Sequence, residues 1–123
     1  MKARTLAPVL MMLAAGPVAG DQPLSIRVSP TVSIEPANVR VSAILEENDA
    51  NRAIEVIAES RDFYRSSESP LEGRRSPRVK IIEFRDVPGG YLEIRVNLKD
   101  SRGRTRASAL SHATILASRY RGP

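Results

Sequence analysis

The chain has 123 residues, which is enough for one domain and not for two. It contains no cysteine and a single histidine, so disulfides, thiolate chemistry and the usual zinc sites are excluded. The formal net charge is +5, from 19 basic and 14 acidic residues that are interleaved rather than massed. This charge pattern indicates a solvated surface that attracts anionic polymers weakly at most.

The first 20 residues have the three-part order of a secretory signal peptide. Lys2 and Arg4 precede an apolar run over residues 6–15, and small residues lead to Gly20. The run is too short to cross the hydrocarbon core of a membrane as a helix, although an uncleaved anchor is the alternative. We therefore predict a cleaved signal peptide over 1–20, export to the periplasm or cell exterior of a bacterium, and no membrane span in the mature chain.

The first predicted strand alternates apolar and polar residues, which is the period of a half-buried strand. The alternation runs over residues 24–28, resumes over 32–34, and is interrupted by Pro30 and Pro36. Because proline cannot donate a hydrogen bond to a neighbouring strand, these residues predict a split strand at a sheet edge. A clearer strand is predicted over 38–46, before a polar turn.

The segment over residues 52–60 fits two secondary structures. Its apolar residues at 54, 56 and 58 alternate as in a strand, whereas those at 53, 54, 57 and 58 fit the stripe of an amphipathic helix. β-branched residues are dense here and the segment is short. A strand is therefore predicted, with a helix as the alternative.

The middle of the chain is predicted to contain its longest irregular connection. After a short strand at 63–64, residues 66–77 are rich in serine, proline and glycine, as loops are. Residues 78–85 then predict a strand in which Ile82 and Phe84 belong to the core.

A closing hairpin is the strongest structural signal in the sequence. From Leu92 to Leu98, leucine, isoleucine and valine occupy every second position without exception. A corner over 86–90 precedes this strand, and a turn over 100–103 follows it, with glycine where a positive φ is required. A long return strand rich in small residues is predicted over 104–116.

Seven or eight short strands with turns between them predict an all-β fold, and the split first strand together with the long mid-chain connection favours a two-sheet sandwich over a barrel. The corner Val87–Tyr91 and the turn Asp100–Arg104 resemble the last two strands of bacterial Ig-like and fibronectin-III-like domains. In those domains a proline-glycine-tyrosine corner leads into an alternating strand and an Asp-x-x-Gly turn. The resemblance implies a two-sheet Ig-like β-sandwich of about seven strands over residues 21–117, with 118–123 as a flexible tail.

One residue departs from that resemblance. In those domains the corner tyrosine shares the apolar side of its strand, but Tyr91 alternates with Glu93 and Arg95. Either a bulge at Gly90 turns the tyrosine ring inward, or the ring packs at the end of the sandwich. The chain also lacks the cysteine pair and the tryptophan of antibody-type domains, so that class is excluded.

No catalytic arrangement can be assembled from the sequence. His112 neighbours Ser108 and Ser111, but adjacent strand residues point to opposite faces, so Ser111 cannot act as its nucleophile. The loop over 46–51 offers the oxygen atoms that calcium prefers, yet it lacks the spacing of an EF-hand. We predict that His112 is a surface residue, that the loop is a polar turn, and that the protein is not an enzyme and carries no cofactor or metal.

Arginine and tyrosine are both enriched at protein interfaces, so their clusters are the candidate interaction sites. The alternatives are a structural salt bridge and stack over residues 61–65 and a solvated surface at the other arginines. The predicted function is that of a non-catalytic exported module, which binds another envelope or surface protein or gives structural support. One alternative is a module that binds anionic or carbohydrate polymers of the cell surface through arginine, and another is an unfamiliar hydrolase. Export argues against a nucleic-acid partner. The candidate interaction residues are Arg61, Tyr64, Arg65, Arg74, Arg75 and Arg78.

Overall fold

In the computed structural model, which describes residues 22–118, the chain is all-β and forms two sheets, as a β-sandwich does. The predicted all-β class with two sheets is thus confirmed, and the segment over 52–60 is a strand rather than a helix. The predicted signal peptide and residues 119–123 of the predicted tail lie outside the described residues. The strands are β1 (Leu24–Ser29), β2 (Val32–Ile34), β3 (Ala37–Leu45), β4 (Ala53–Ser60), β5 (Phe63–Pro70), β6 (Val79–Val87), β7 (Gly90–Lys99) and β8 (Thr105–Leu116), with a 3-10 turn at Gly73–Arg75.

The first predicted strand is divided between the two sheets. β1 pairs antiparallel with β3 at one edge of a three-stranded sheet, whose order is β1-β3-β6. β2 pairs parallel with β8 at one edge of a five-stranded sheet, whose order is β2-β8-β7-β4-β5. The chain passes between the sheets at Pro30, which has no N–H to offer either one. The predicted proline-split strand at a sheet edge is therefore confirmed.

Both sheets bury alternate residues in one shared core. The apolar residues of β7 from Leu92 to Leu98 are fully buried, as their alternation predicted. In β6, Phe84 is buried and Ile82 is half-buried against the core. Each large apolar side chain stabilises the fold by about 1.5–3 kcal/mol when it is buried. Core packing thus supplies the stability of a chain without disulfides.

The predicted long connection after residue 64 is partly wrong. Residues 66–70 belong to β5, which pairs with β4 from Phe63 opposite Ser60 to Pro70 opposite Ala53. Serine-rich sequence has little strand propensity of its own, but the edge of β4 supplies a backbone partner that the local sequence does not reveal. The irregular connection is therefore limited to residues 71–78, with the 3-10 turn inside it.

Within residues 22–118, no helix has the length and apolar character needed to cross a membrane.

Candidate interaction surfaces

The residues selected from the sequence form two groups at opposite ends of β5 rather than one patch. Arg61, Tyr64 and Arg65 lie at the β4–β5 hairpin, and the other three follow Pro70 at the far end of the strand. The eight extended residues of β5 span roughly 25 Å. All six side chains are exposed. The second group consists of Arg74, Arg75 and Arg78.

Arg65 makes a structural contact between the two sheets. Its guanidinium carbon lies 5.1 Å from the centre of the Phe63 ring, and its Nη1 donates to the Arg85 carbonyl at 3.4 Å. Arg85 belongs to β6, and β5 and β6 each lie at one edge of their sheet. Arg65 therefore covers the half-buried Phe63 at one side of the molecule, and Tyr64 is the large exposed side chain at this hairpin.

Two arginines of the second group contact the end of β3 and the loop that follows it. The Nε atom of Arg74 lies 3.4 Å from Oδ2 of Asp49, and the Nε atom of Arg78 donates to the Leu45 carbonyl at 3.2 Å. Exposed ion pairs such as the first contribute about 0–1 kcal/mol. These two side chains hold the connection before β6 against the end of β3 and the loop after it.

Arg75, the third arginine of this group, lines a cavity of about 210 Å³ beside the connection between β5 and β6. Arg75 and Lys80 supply positive charge to this cavity, and Glu72 supplies negative charge. Pro70 and Pro77 complete much of the wall. An anion in this cavity would meet two cations and one carboxylate, so the attraction would be partly cancelled.

The loop considered for calcium is organised by a buried asparagine. Asn51 is 1% exposed; its Nδ2 donates to the Glu46 carbonyl at 2.9 Å, and its Oδ1 accepts from Arg106. Its carbonyl accepts from the N–H of Gly73 at 2.9 Å. Gly73 has a φ of 59°, and a Cβ there would lie 3.0 Å from the Asp49 carbonyl oxygen, so glycine is required. Sequence reasoning named this loop but did not predict the burial of Asn51.

No group of three or more acidic, histidine or cysteine side chains in the described part of the chain is arranged to hold a metal ion.

Glu35 joins three chain segments, and no pattern in the sequence indicated this role. It follows β2, and its Oε1 accepts from the N–H of Gly89 at 2.6 Å while its Oε2 accepts from the N–H of Ser118 at 2.8 Å. A Cβ at residue 89 would lie 3.0 Å from this Oε1 and 3.1 Å from Cα of Ala117. Glycine therefore permits the close approach of β2, the corner before β7 and the end of β8.

The two bonds to Glu35 predict a pH dependence of stability. Hydrogen bonds from Ser118 and then Gly89 hold the pKa of the Glu35 carboxyl below its ordinary value. A carboxyl with a lowered native pKa stabilises the fold at neutral pH, and this contribution is lost as the pH falls through the native pKa. Glu35→Gln should therefore lower the free energy of unfolding at pH 7.

Denaturant unfolding of both proteins at pH 7 and about pH 3 measures the effect. The difference between wild type and Glu35→Gln should shrink at the lower pH. A difference that stays constant with pH would contradict the assignment of this carboxylate as a clamp.

One half of the outer face of the five-stranded sheet is polar and internally paired. Nζ of Lys99 lies 3.3 Å from Glu55 and 3.5 Å from Glu68, and Nδ2 of Asn97 donates to Glu55 at 3.1 Å. Oγ of Ser108 donates to Oδ1 of Asn97 at 2.8 Å. The bond from Asn97 and the ion pair with Lys99 lower the pKa of Glu55, and the bond to Glu55 raises the pKa of Lys99. These groups satisfy one another on the sheet surface.

The other half of the same outer face carries large apolar side chains that remain 48–62% exposed. The register places Val32 and Tyr91 on either side of Thr114, and it places Ile34 beside Leu116. Neighbouring side chains on one face of a sheet lie about 5 Å apart across the strands. We call this surface the apolar corner; it consists of Val32, Ile34, Tyr91, Leu110 and Leu116, with His112 and Thr114 between them.

Tyr91 points outward and stacks on His112. The tyrosine is 62% exposed, and the two ring centres lie 4.9 Å apart with 22° between the ring planes. The pairing of β7 with β8 is regular from Gly90 to Leu98, so no bulge turns the tyrosine inward. The inward corner tyrosine implied by the Ig-like resemblance is therefore absent, because strand parity places this ring on the outer face.

His112 has the exposed position on β8 that the sequence predicted. Its cross-strand neighbour is Glu93, whose Oε1 lies 3.5 Å from Nη2 of Arg95. The hydroxyl of Ser108 donates to Asn97 instead of to the imidazole. The imidazole ring therefore contributes to the apolar corner through its stack on Tyr91.

No protein-family model matches the chain, and no curated protein matches it.

Proposed function

We propose that this chain is a non-catalytic, exported Ig-like module that binds another protein of the bacterial envelope through the apolar corner. The observation that carries the proposal is the clustering of five large apolar side chains on one part of an outer sheet face. Contiguous apolar patches of this kind mark interaction sites, because a partner that covers them removes their surface from water. Tyr91 adds a rigid aromatic anchor of the type that dominates protein interfaces.

The strand order supports the Ig-like part of the proposal. In the lettering of Ig-like sandwiches, β1 and β2 are the two parts of strand A, β3 is B, β4 is C, β6 is E, β7 is F and β8 is G. Strands A, B and E then form one sheet, and strands G, F and C form the other, with β5 as an additional strand beside C. The outward Tyr91 limits the support to strand order and the hairpin pattern.

The export part of the proposal depends on the basic start, short apolar run and small residues of the first 20 positions. Sequencing the N-terminus of the protein from the producing cells tests it directly. We expect the mature chain to begin at Asp21, in a periplasmic or extracellular fraction. A chain that retains Met1 in the cytoplasmic fraction would contradict export.

Binding of anionic or carbohydrate polymers is the runner-up, and the geometry favours it less. The two arginine groups lie at opposite ends of β5, and Arg65, Arg74 and Arg78 each have a contact within the fold. The cavity beside Arg75 also contains Glu72. The residues that remain for a polymer are thus few and separated.

Site-specific photocross-linking in the producing cells tests the proposed surface. A photoreactive phenylalanine replaces Tyr91 in one variant and Ile81 in a matched control. Ile81 is 56% exposed on the three-stranded sheet. We expect position 91 to yield an adduct with an envelope protein and position 81 to yield none.

A second substitution within the apolar corner, Leu116→Ser, should reduce the adduct from position 91 at least tenfold, because it removes an apolar side chain that the partner covers. A tenfold loss corresponds to about 1.4 kcal/mol of binding. Equal adducts from positions 91 and 81, or no adduct from 91, would contradict the proposal. Retention of the purified protein on heparin that disappears at moderate salt would favour the polymer-binding alternative.

A further inference from the structure

We infer that the open edge of β8 accepts an extended strand from the partner protein, so that recognition adds a strand to the five-stranded sheet. This inference rests on the proposed function, because it specifies how a partner at the apolar corner is held. The strand we infer comes from another protein, alternates apolar residues along its length, and carries carboxylates at the end that lies beside Arg104.

β8 is paired along one side but only at its end on the other. β7 pairs with it from Thr105 to Ile115, whereas β2 pairs with residues 114–116 alone. On the β2 side, the N–H of Thr114 donates to the Thr31 carbonyl at 2.7 Å. The remaining length of β8 therefore has an edge without a paired strand among the described residues.

The backbone groups on that edge can be identified from strand alternation. Because the Thr114 N–H points to the β2 side, the N–H and C=O groups of every second residue before it point the same way. These residues are Ser108, Leu110 and His112, and all three are exposed. An added strand would find three donors and three acceptors in regular spacing.

The edge is open because the first strand leaves this sheet. Continued in the register of β2, residues 26–30 would lie beside residues 108–112 of β8. Before Pro30, however, the chain lies in the other sheet, where β1 pairs with β3 and contacts β8 without pairing with it. An incoming strand would occupy the position that β1 would have taken, next to the apolar corner.

The β8 edge also lacks the features that protect the other sheet edges. Exposed edges are usually protected from pairing by charged side chains or proline. From Ala107 to Leu116, β8 contains neither proline nor an acidic or basic residue apart from His112. The edge strands of the two sheets carry such features: β1 contains Arg27, the short β2 lies between Pro30 and Pro36, β5 contains Arg65, Glu68 and Pro70, and β6 contains Lys80, Glu83 and Arg85.

Both faces beside the edge suit alternating apolar side chains. On the inner side, Ala107 and Ala109 are small and half-buried, and Ile26 and Val28 of β1 are half-buried against the same core. An inward residue of an added strand would complete the cover over these four side chains. On the outer side, an apolar residue would extend the surface that begins at Leu110.

The charge at the start of β8 determines which end of the added strand should carry carboxylates. Arg102 and Arg104 are exposed at the β7–β8 turn, and Arg106 is half-buried beside it. Asp100 lies 3.9 Å from Arg104, which is a long ion pair, so this end of the edge remains basic. Carboxylates on the incoming strand would complement it and disfavour a basic competitor.

The binding test uses a synthetic probe and the purified full-length protein. The probe is the peptide Glu-Glu-Val-Thr-Val-Ser-Val-Thr-Val, and the matched control replaces both glutamates with lysines. In ¹⁵N-labelled protein, the amides of Ser108, Leu110 and His112 should shift on titration with the probe and become protected from solvent exchange. The lysine peptide should bind at least tenfold more weakly.

Two variants at one position separate strand addition from side-chain docking. Leu110→Pro removes an edge N–H that β7 does not use, whereas Leu110→Ala keeps it. Strand addition predicts that the proline variant binds the probe at least tenfold more weakly than the alanine variant, because both variants lose the leucine side chain and only proline loses the edge N–H. Unfolding curves test whether both variants fold. If one does not, the amide shifts of the wild type still test strand addition, because they require no variant.

The outcomes distinguish this inference from the proposed function. No shift at the three edge amides, or equal losses from proline and alanine, would overturn strand addition. A wild-type dimer whose interface maps to the same amides, without probe binding, would overturn it in favour of self-pairing. An adduct from position 91 that persists when Leu110→Pro is added would leave the apolar corner as the binding surface without strand addition. The absence of an adduct from the photoreactive variant that retains Leu110 would overturn the proposed function itself.

Discussion

Replacing Ile94 with alanine should lower the free energy of unfolding by about 2–5 kcal/mol. Ile94 lies in β7, between β4 and β8, and its side chain is fully buried between the two sheets. The substitution removes apolar contacts and leaves a cavity that flanking strands cannot close without moving. Because domains of this size are stable by roughly 5–15 kcal/mol, the loss is a large share of the total. Denaturant unfolding measures it as a lower midpoint at an unchanged slope.

Leu110→Ala is the matched control for this core substitution. Leu110 lies on the neighbouring strand β8, but its side chain is 53% exposed on the outer face. Its truncation should change the free energy of unfolding by less than about 0.5 kcal/mol. Similar losses for the two variants would contradict the assignment of inner and outer faces to this hairpin. The same measurement shows whether Leu110→Ala is folded for the binding test.

Asn51→Ala should destabilise the protein by about 1–3 kcal/mol, although it removes little apolar surface. The buried amide bonds the Glu46 carbonyl and the Arg106 side chain, so its loss leaves a carbonyl and a half-buried charge without this partner. Unpaired buried polar groups keep their full desolvation cost, which is why the effect exceeds that of one ordinary hydrogen bond. Denaturant unfolding again supplies the measurement.

The same loop provides a control for Asn51. Oδ1 of Asn48 accepts from the N–H of Ala50 at 2.8 Å in an exposed turn, where water can replace the bond. Asn48→Ala should therefore cost less than about 1 kcal/mol. A double-mutant cycle of Asn51→Ala with Arg106→Ala should give a coupling energy of about 0.5–3 kcal/mol. Additive effects in the cycle would show that the loop is not tied to β8 through this pair.

Predictions that depended only on residues close together in the sequence agree with the structure. The alternation from Leu92 to Leu98 identified the buried face of β7, and Pro30 marked the division of the first strand. Both signals are local, because a strand reverses its face at each residue and a proline removes its own N–H. β5 shows the limit of such reasoning, since its serine-rich half is a strand only because β4 pairs with it.

The candidate surfaces depended on contacts that local sequence does not contain. Glu35 meets the Ser118 amide 83 positions away, and Asn51 meets Arg106 55 positions away. The two arginine groups looked close in the chain, but β5 separates them by its full length. Their distance was therefore a property of strand pairing and not of sequence spacing.

The sequence alone was sufficient for the all-β class and for the inner faces of β4 and β7, because each follows from a period of two residues. It left the orientation of Tyr91 open, since a bulge at Gly90 would have reversed it, and the regular pairing of β7 with β8 decided that the ring points outward. Strand pairing and register decided which outward residues became neighbours. They brought Val32 and Ile34 beside β8, placed Tyr91 on His112, and left the edge at Leu110 open. Long-range pairing is chosen by the packing of the whole core, so the surface that we propose for binding becomes visible only when the strands are assembled.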